Sequence, residues 1–351
     1  MYKTTTGQEI TAPPHDWDGA ALTPIGVDTA FNGYVAAHVI FALHRLALLD
    51  SLESGDVDVR EFAASTGTDL RMLQELLRAA ACCGYVTLLE ESAALTPAGR
   101  EAARLRGYFT WVVGGYAEVF ARMADIATGT CRFNDDVHRN EAMVALGSAQ
   151  NDQAVLGGIL GQVLDDVDFT MIADLGSGNS ARICRVIAGR DGSRGVGLDI
   201  SSSANQLAQE TIRQSGLSDR ARAVQRDVRE LAAGRRRDSE LSEVDAVMSF
   251  FLLHDLLADP ATRQAVLPGL RESFPNARTF VLADTMLRPA RTAGTTVPVF
   301  SLGYELAHAM MGVPLHTRES YEALFEQAGM RIRWRLPFGT PHSWLYVLET
   351  D

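Results

Sequence analysis

The chain has eight histidines and four cysteines, few enough that any placed for chemistry stand out. His254 closes the run Phe250-Phe-Leu-Leu-His-Asp255, directly after an apolar stretch that reads as a strand. An imidazole beside Asp255 at the carboxyl end of a parallel strand faces the crevice where ligands bind, so it is a candidate for proton transfer or metal ligation. His308 lies in a segment of helical periodicity three residues after Glu305, which puts both on one helical face. Two histidines with nearby carboxylates are the ingredients of a metal site. In such a site Glu305 would orient a histidine, or would complete a set of two histidines and one carboxylate. A helix histidine that only packs and hydrogen-bonds fits the same spacing. His38 and His44 fall on or beside an apolar helical face and read as structural.

The second constellation is a glycine loop, Asp174-Leu-Gly-Ser-Gly-Asn-Ser-Ala181, between an apolar run and a helical one. Gly176 and Gly178 let the backbone approach a ligand closely, and the helix that follows offers its amino-terminal N–H groups. Two ligand classes fit: a dinucleotide, through the match to G-x-G-x-x-A, and S-adenosylmethionine (SAM). Asp174 favours SAM, because a carboxylate there repels a pyrophosphate and attracts a sulfonium and an ammonium. Asp199, at the end of the next strand, suits the ribose hydroxyls, and Asp227, after the third, suits the adenine amino group. Ser249, near the end of the fourth strand, joins this cofactor set.

The elements that must position these residues come in two textures. Residues 1–24 are polar and proline-containing and read as an arm. Residues 25–165 are mostly helical: a long amphipathic stretch from Ile25, a helix opened by Asp58 with Glu61 three positions on, and a helix capped by Thr68. A two-stranded ribbon follows, giving a winged-helix order. Two or three further helices, the first rich in aromatics, fill 107–165. From residue 166 to 351 apolar runs alternate with helical pattern: Met171–Leu175, Gly195–Ile200, Ala221–Gln225, Val244–Phe250 and Thr279–Ala283. That alternation predicts a doubly wound α/β sheet, with Arg331–Leu336 and Ser343–Leu348 as a late, partly antiparallel pair.

Composition narrows the function classes. The chain has 351 residues, 46% hydrophobic and 22% charged, with a net charge of −12 and one lysine, Lys3. The acidic balance argues against nucleic acid, and the winged helix then reads as a packing and dimerisation module. The cysteines show no metal or redox spacing. No apolar run reaches a membrane span and the first residues lack a signal-peptide core, so a cytoplasmic protein is expected.

Taken together, the glycine loop, the strand-end acids and the helical first half resemble the class I SAM-dependent methyltransferases. The match is to the branch with an amino-terminal winged-helix dimerisation domain and a Rossmann-like seven-stranded catalytic domain. Ser180 stands where many members have a third glycine. In the O-methyltransferases of that branch a His-Asp after the fourth strand supplies the general base, which implies a metal-independent O- or N-methyltransferase of a natural-product scaffold acting through His254. A longer match is narrower. Phe251 to Asp255 and Pro298 to Val313 are similar to the α-keto acid C-methyltransferases of peptide natural-product biosynthesis, of the mannopeptimycin-pathway type, with Leu253 replacing a glycine. That resemblance implies a homodimer that methylates the β-carbon of a small α-keto acid. It implies a mononuclear metal, iron or zinc, on His254 and His308, and Asp255 or a metal-bound hydroxide as base. It also implies a substrate pocket with Trp111 and with Arg139 on the keto acid's carboxylate, joined by Phe300 and Glu305. A non-enzymatic alternative, an acidic winged-helix regulator that senses SAM, would need a basic recognition surface.

Overall fold

The computed structural model describes residues 2–3, 9–10, 25–234, 241–288, 300–340 and 342–350. Most of the predicted arm, and Pro298 of the long match, lie outside these residues. The chain divides into two compact units, residues 22–156 and residues 157–351 together with 1–21. The boundary falls earlier than the expected 165/166. Gly157–Leu164 carries four buried aliphatic side chains, and the Arg190 guanidinium caps its end by donating to the carbonyls of Leu164 and Val167.

In the helical unit the helix Val27–Arg45 leads to Val59–Thr66 and Leu70–Cys82, followed by strands Val86–Leu89 and Ser92–Leu95. The expected wing is present and has a third strand, Val57–Asp58, paired to Ser92–Leu95. Asp58 caps its helix by accepting from the Glu61 N–H. The cap of the next helix is Asp69, which accepts from Met72, and not Thr68: one residue decides which side chain reaches the third N–H. Leu43, Leu48, Leu73, Leu77 and Ala93 form the centre of its core. Residues 107–165 are more broken than two or three helices. Two π-helical turns, Thr110–Gly115 and Asp152–Leu156, interrupt them. They flank a tight helix crossing where a Cβ on Gly147 would lie 2.7 Å from the Trp111 nitrogen.

The second unit is the expected α/β sheet. Its strands are β1 (Met171–Leu175), β2 (Arg194–Asp199), β3 (Ala221–Gln225), β4 (Ala246–Phe250), β5 (Thr279–Thr285), β6 (Met330–Pro337) and β7 (Ser343–Thr350). They lie in the order β6-β7-β5-β4-β1-β2-β3. All neighbours from β5 through β3 are parallel, and β7 runs antiparallel between β5 and β6. β1, β4 and β5 are buried almost throughout, as a sheet covered by helices on both faces requires. β1 pairs with β2 on one side and β4 on the other, and this switch point opens a crevice at the carboxyl ends of the strands.

Candidate active site

The glycine loop leaves β1 at Asp174, which is fully buried. Gly176 and Gly178 have φ of +70° and +53°, conformations that cost an L side chain and that glycine adopts readily. Ser180 also sits at +58°, a left-handed backbone that glycine would adopt readily and that the serine takes here. The two serines of the loop are accommodated by Gly197 on β2: a Cβ there would lie 2.5 Å from Ser180 Oγ and 2.6 Å from Ser177 Oγ. Asp199, at the end of β2, accepts from the Gly178 N–H at 2.9 Å and from the Ser201 N–H at 2.9 Å, tying the loop to the next strand. Asp227 caps the helix after β3 and forms a bidentate ion pair with Arg229. The Arg229 hydrogen bonds hold its carboxyl below the usual range. Ser249 is buried in β4, its hydroxyl 3.4 Å from the Leu175 carbonyl. The carboxylates Asp174, Asp199 and Asp227 therefore stand at the carboxyl ends of three strands, as expected. Asp174 differs in one respect: Arg182, on the helix Ala181–Ala188, reaches back to it, with Nη1 at 3.1 Å.

The histidines meet at the other side of the switch point. His254 lies in the short helix Leu253–Leu256 after β4, and His308 in Ser301–Met310. Both are buried, and their Nε2 atoms are 3.2 Å apart although 54 residues separate them in the chain. The reason is visible at the opposite ring nitrogens. His254 Nδ1 lies 2.9 Å from Oδ1 of Asp284, and Asp284 Oδ2 also accepts from the His254 backbone N–H at 2.8 Å. Asp284, near the end of β5 and 2% exposed, accepts further from the Thr285 N–H and from the Tyr321 hydroxyl. The buried carboxylate is thus met by four donors, the Nδ1–H of His254 among them. Burial and the Asp284 charge push the Tyr321 phenol well above its ordinary pKa, which keeps it a donor to that carboxylate. His308 Nδ1 donates to the Tyr304 carbonyl at 2.7 Å. The Tyr304 hydroxyl also lies 3.4 Å from His254 Nε2, and a direct hydrogen bond between the two Nε2 atoms needs a proton on one of the rings.

Asp255 is half-exposed, with a carboxylate oxygen 3.6 Å from His254 Nε2. Tyr304 lies against His308, its ring centroid 4.0 Å away, and its hydroxyl is 3.1 Å from His254 Nδ1. Phe300 precedes this helix with φ of +71° and packs on Tyr304 at 5.1 Å. Glu305 departs from expectation. Its carboxylate is held by Arg288 in a bidentate pair, Nε at 2.6 Å and Nη2 at 2.7 Å. This pair ties the start of the segment after β5 to the helix that carries His308. Among the described residues no group of three or more His, Cys, Asp or Glu side chains is placed to hold a metal ion.

In the helical unit Trp111 and Arg139 are brought together through Tyr116. The Trp111 and Tyr116 rings are 4.1 Å apart, and Arg139 donates to the Tyr116 hydroxyl at 2.9 Å and to Glu141 at 2.8 Å. Asp284, Tyr304 and Tyr321 were missed by sequence reasoning. For Asp284 the only signal was an acid near the end of the fifth strand, the same signal that marked Asp174 and Asp199.

The comparisons decide the family. A methyltransferase of Aspergillus campestris, ungE', is 30% identical over 311 residues, covering 86% of this chain and 90% of its own. The chain belongs to the class I SAM-dependent methyltransferases. A second relative of this methyltransferase, the 2-ketoarginine methyltransferase of Streptomyces arginensis, is 25% identical over 322 residues, 89% of this chain and 88% of its own. Among solved structures, PigF with S-adenosylhomocysteine (SAH) superposes with a TM-score of 0.63 over 94% of this chain and 100% of its own, at 19% identity, a likeness of fold. No protein-family model matches the chain. Among the described residues no single helix of the methyltransferase is long and apolar enough to cross a membrane.

Proposed function

We propose that this methyltransferase is metal-dependent and transfers the SAM methyl group to C3 of a small α-keto acid, in a natural-product pathway. The observation that carries the reading is the pair of Nε2 atoms 3.2 Å apart, each ring fixed by an acceptor on its other nitrogen. The carboxylate–histidine pair of Asp284 and His254 is the usual support of a metal-ligating imidazole. His254 and His308 would hold the ion. When bound, a divalent or trivalent cation supplies Lewis acidity that makes the weakly acidic C3–H of a keto acid removable. Asp255 is the candidate acceptor for that proton, being half-exposed and beside His254. The carbon then takes the methyl group as the sulfonium S–C bond breaks, and SAH leaves neutral at sulfur. A relative named for 2-ketoarginine supports a keto-acid substrate. Trp111 and Arg139, joined through Tyr116, are assigned to the substrate, Arg139 as the cation for its carboxylate.

The test is turnover against a panel of 2-oxo acids, with product mass and metal content measured on the same sample. Chelated, dialysed enzyme should lose activity and regain it with iron or zinc. Equal rates before and after chelation would overturn the reading. A second reading has its own support: His254 with Asp284 at 2.9 Å is also a general-base pair for an oxygen or nitrogen acceptor. It predicts that His308→Ala is mild and that chelators do nothing.

The homodimer belongs to the same proposal. Val27, Phe31, Tyr34 and Val35 are exposed together on the first helix, an apolar stripe that suits a second copy of the chain. Light scattering on the purified enzyme should give twice the chain mass. A nucleic-acid role finds no support in the helix Leu70–Cys82, where Arg78 is paired with Glu75.

A further inference from the structure

We propose that Tyr321 is a positioning residue for His254: its hydroxyl sets which oxygen of Asp284 takes the imidazole Nδ1 proton, and so where Nε2 points. The proposal rests on His254 being the working histidine of the proposed function, in either of its two readings.

Tyr321 stands in the first turn of the helix Arg318–Gln327 and is fully buried. Its ring packs edge-on against Phe325 of the same helix, with centroids 6.3 Å apart. Its hydroxyl lies 3.3 Å from Oδ2 of Asp284. The other donors to that carboxylate come from His254 or from the residue next to Asp284 in the chain. Oδ1 faces the Thr285 N–H at 2.8 Å and Nδ1 of His254 at 2.9 Å. Oδ2 faces the His254 backbone N–H at 2.8 Å and the Tyr321 hydroxyl. Each oxygen thus takes two donors, which fills the lone-pair sites of a carboxylate. Tyr321 supplies the donor that arrives from a separate element.

The Nδ1 proton of His254 has other acceptors at nearly the same distance. Asp284 Oδ2 is 3.1 Å away, and so is the Tyr304 hydroxyl. A small bias therefore decides the orientation of the ring. Tyr321 provides that bias by occupying Oδ2. Without its hydroxyl, Oδ2 is a buried acceptor short of a donor, which is costly, and the ring proton is drawn towards it. The imidazole then turns, and Nε2 leaves its place 3.2 Å from His308 Nε2. That nitrogen is the one His254 would use, as a ligand or as a general base. The alternative role for Tyr321 is packing alone: an aromatic ring that fills the core and finds an acceptor for its own hydroxyl.

The two roles separate when the hydroxyl is removed and the ring is kept. The experiment compares wild type, Tyr321→Phe and Phe325→Leu in the full-length enzyme. Tyr321→Phe removes only the hydroxyl, whereas Phe325→Leu removes packing from the same helix and no hydrogen bond. One readout is proton NMR of the chelated enzyme. An imidazole Nδ1–H held by a buried carboxylate resonates downfield of the amides, and its absence in His254→Asn assigns it. The other readout is steady-state kinetics at saturating SAM. Tyr321→Phe should move the resonance further downfield, because a carboxylate with one donor fewer accepts more strongly. It should lower kcat about 10-fold and leave KM for SAM within about 2-fold. Phe325→Leu should lower the melting temperature and leave the resonance in place, with kcat within about 2-fold of wild type. A resonance that stays in place in Tyr321→Phe overturns the proposal, and so does a kcat for that variant within about 2-fold of wild type. A Phe325→Leu enzyme that matches Tyr321→Phe in both readouts assigns the residue to packing and also overturns it. A wild type without the resonance removes the Nδ1–H bond to Asp284, and the proposal with it. If no 2-oxo acid is methylated, the proposed function fails, while the resonance still decides the role of Tyr321.

Discussion

The two sides of the crevice are built by different means. On the β1–β3 side the backbone makes the site: glycines at positive φ, N–H groups, and acids one to each strand end, with Asp199 holding the loop through Gly178. On the β4–β5 side buried side chains make it: His254, Asp284, Tyr321 and the pair Tyr304 and His308 come from four elements and hydrogen-bond to one another. A backbone site tolerates changes that keep its dihedral angles. A side-chain site fails when any one polar member loses its partner, because the group left behind is buried.

The largest expected effect is on the side-chain half. His308→Ala should lower methyl transfer on the order of 10³-fold at saturating substrates, while SAH affinity measured by calorimetry stays within about 2-fold. A drop in SAH affinity of the same size would erase the distinction between the halves. Asp284→Asn comes next. It leaves the packing volume but removes the charge that fixes the His254 proton, and should cost about 10- to 100-fold in kcat or metal affinity. On the backbone half, Gly197→Ala pushes a methyl group to 2.5 Å from Ser180 Oγ and 2.6 Å from Ser177 Oγ. It should cost about 1–3 kcal/mol by denaturant titration and raise KM for SAM, with kcat at saturating SAM nearly unchanged. Ser180→Gly should be the mildest: relief of the left-handed conformation is about 1 kcal/mol, offset by the greater freedom of glycine in the unfolded chain, so stability should move by less than about 1 kcal/mol.

The same division decides what was legible from residues alone. Strands β1, β3 and β5 start where the apolar runs start, and the loop with Asp174 and Asp199 is a contiguous pattern whose geometry is local. His254 and His308 could be singled out by position, yet only tertiary structure brings nitrogens 54 residues apart to 3.2 Å. Asp284 looked like any acid after an apolar strand, and Tyr321 like a core aromatic of a late helix. For Glu305 helical spacing gives the face but not the partner, which is Arg288, 17 residues earlier. The helical half was legible in outline and misjudged in detail. A glycine at 147 packed against Trp111 requires a crossing that no hydrophobic period encodes.

The place of β7 has a consequence for how the protein is made. Asp284 is opposite Trp344 in the β5–β7 ladder, and β6 touches the sheet only through β7. During synthesis the outer edge of β5 stays open until residues 343–350 have emerged from the ribosome, whereas β1 to β4 can already pair. The glycine-loop side can therefore assemble on the nascent chain, and the histidine side is completed only when β7 slots in.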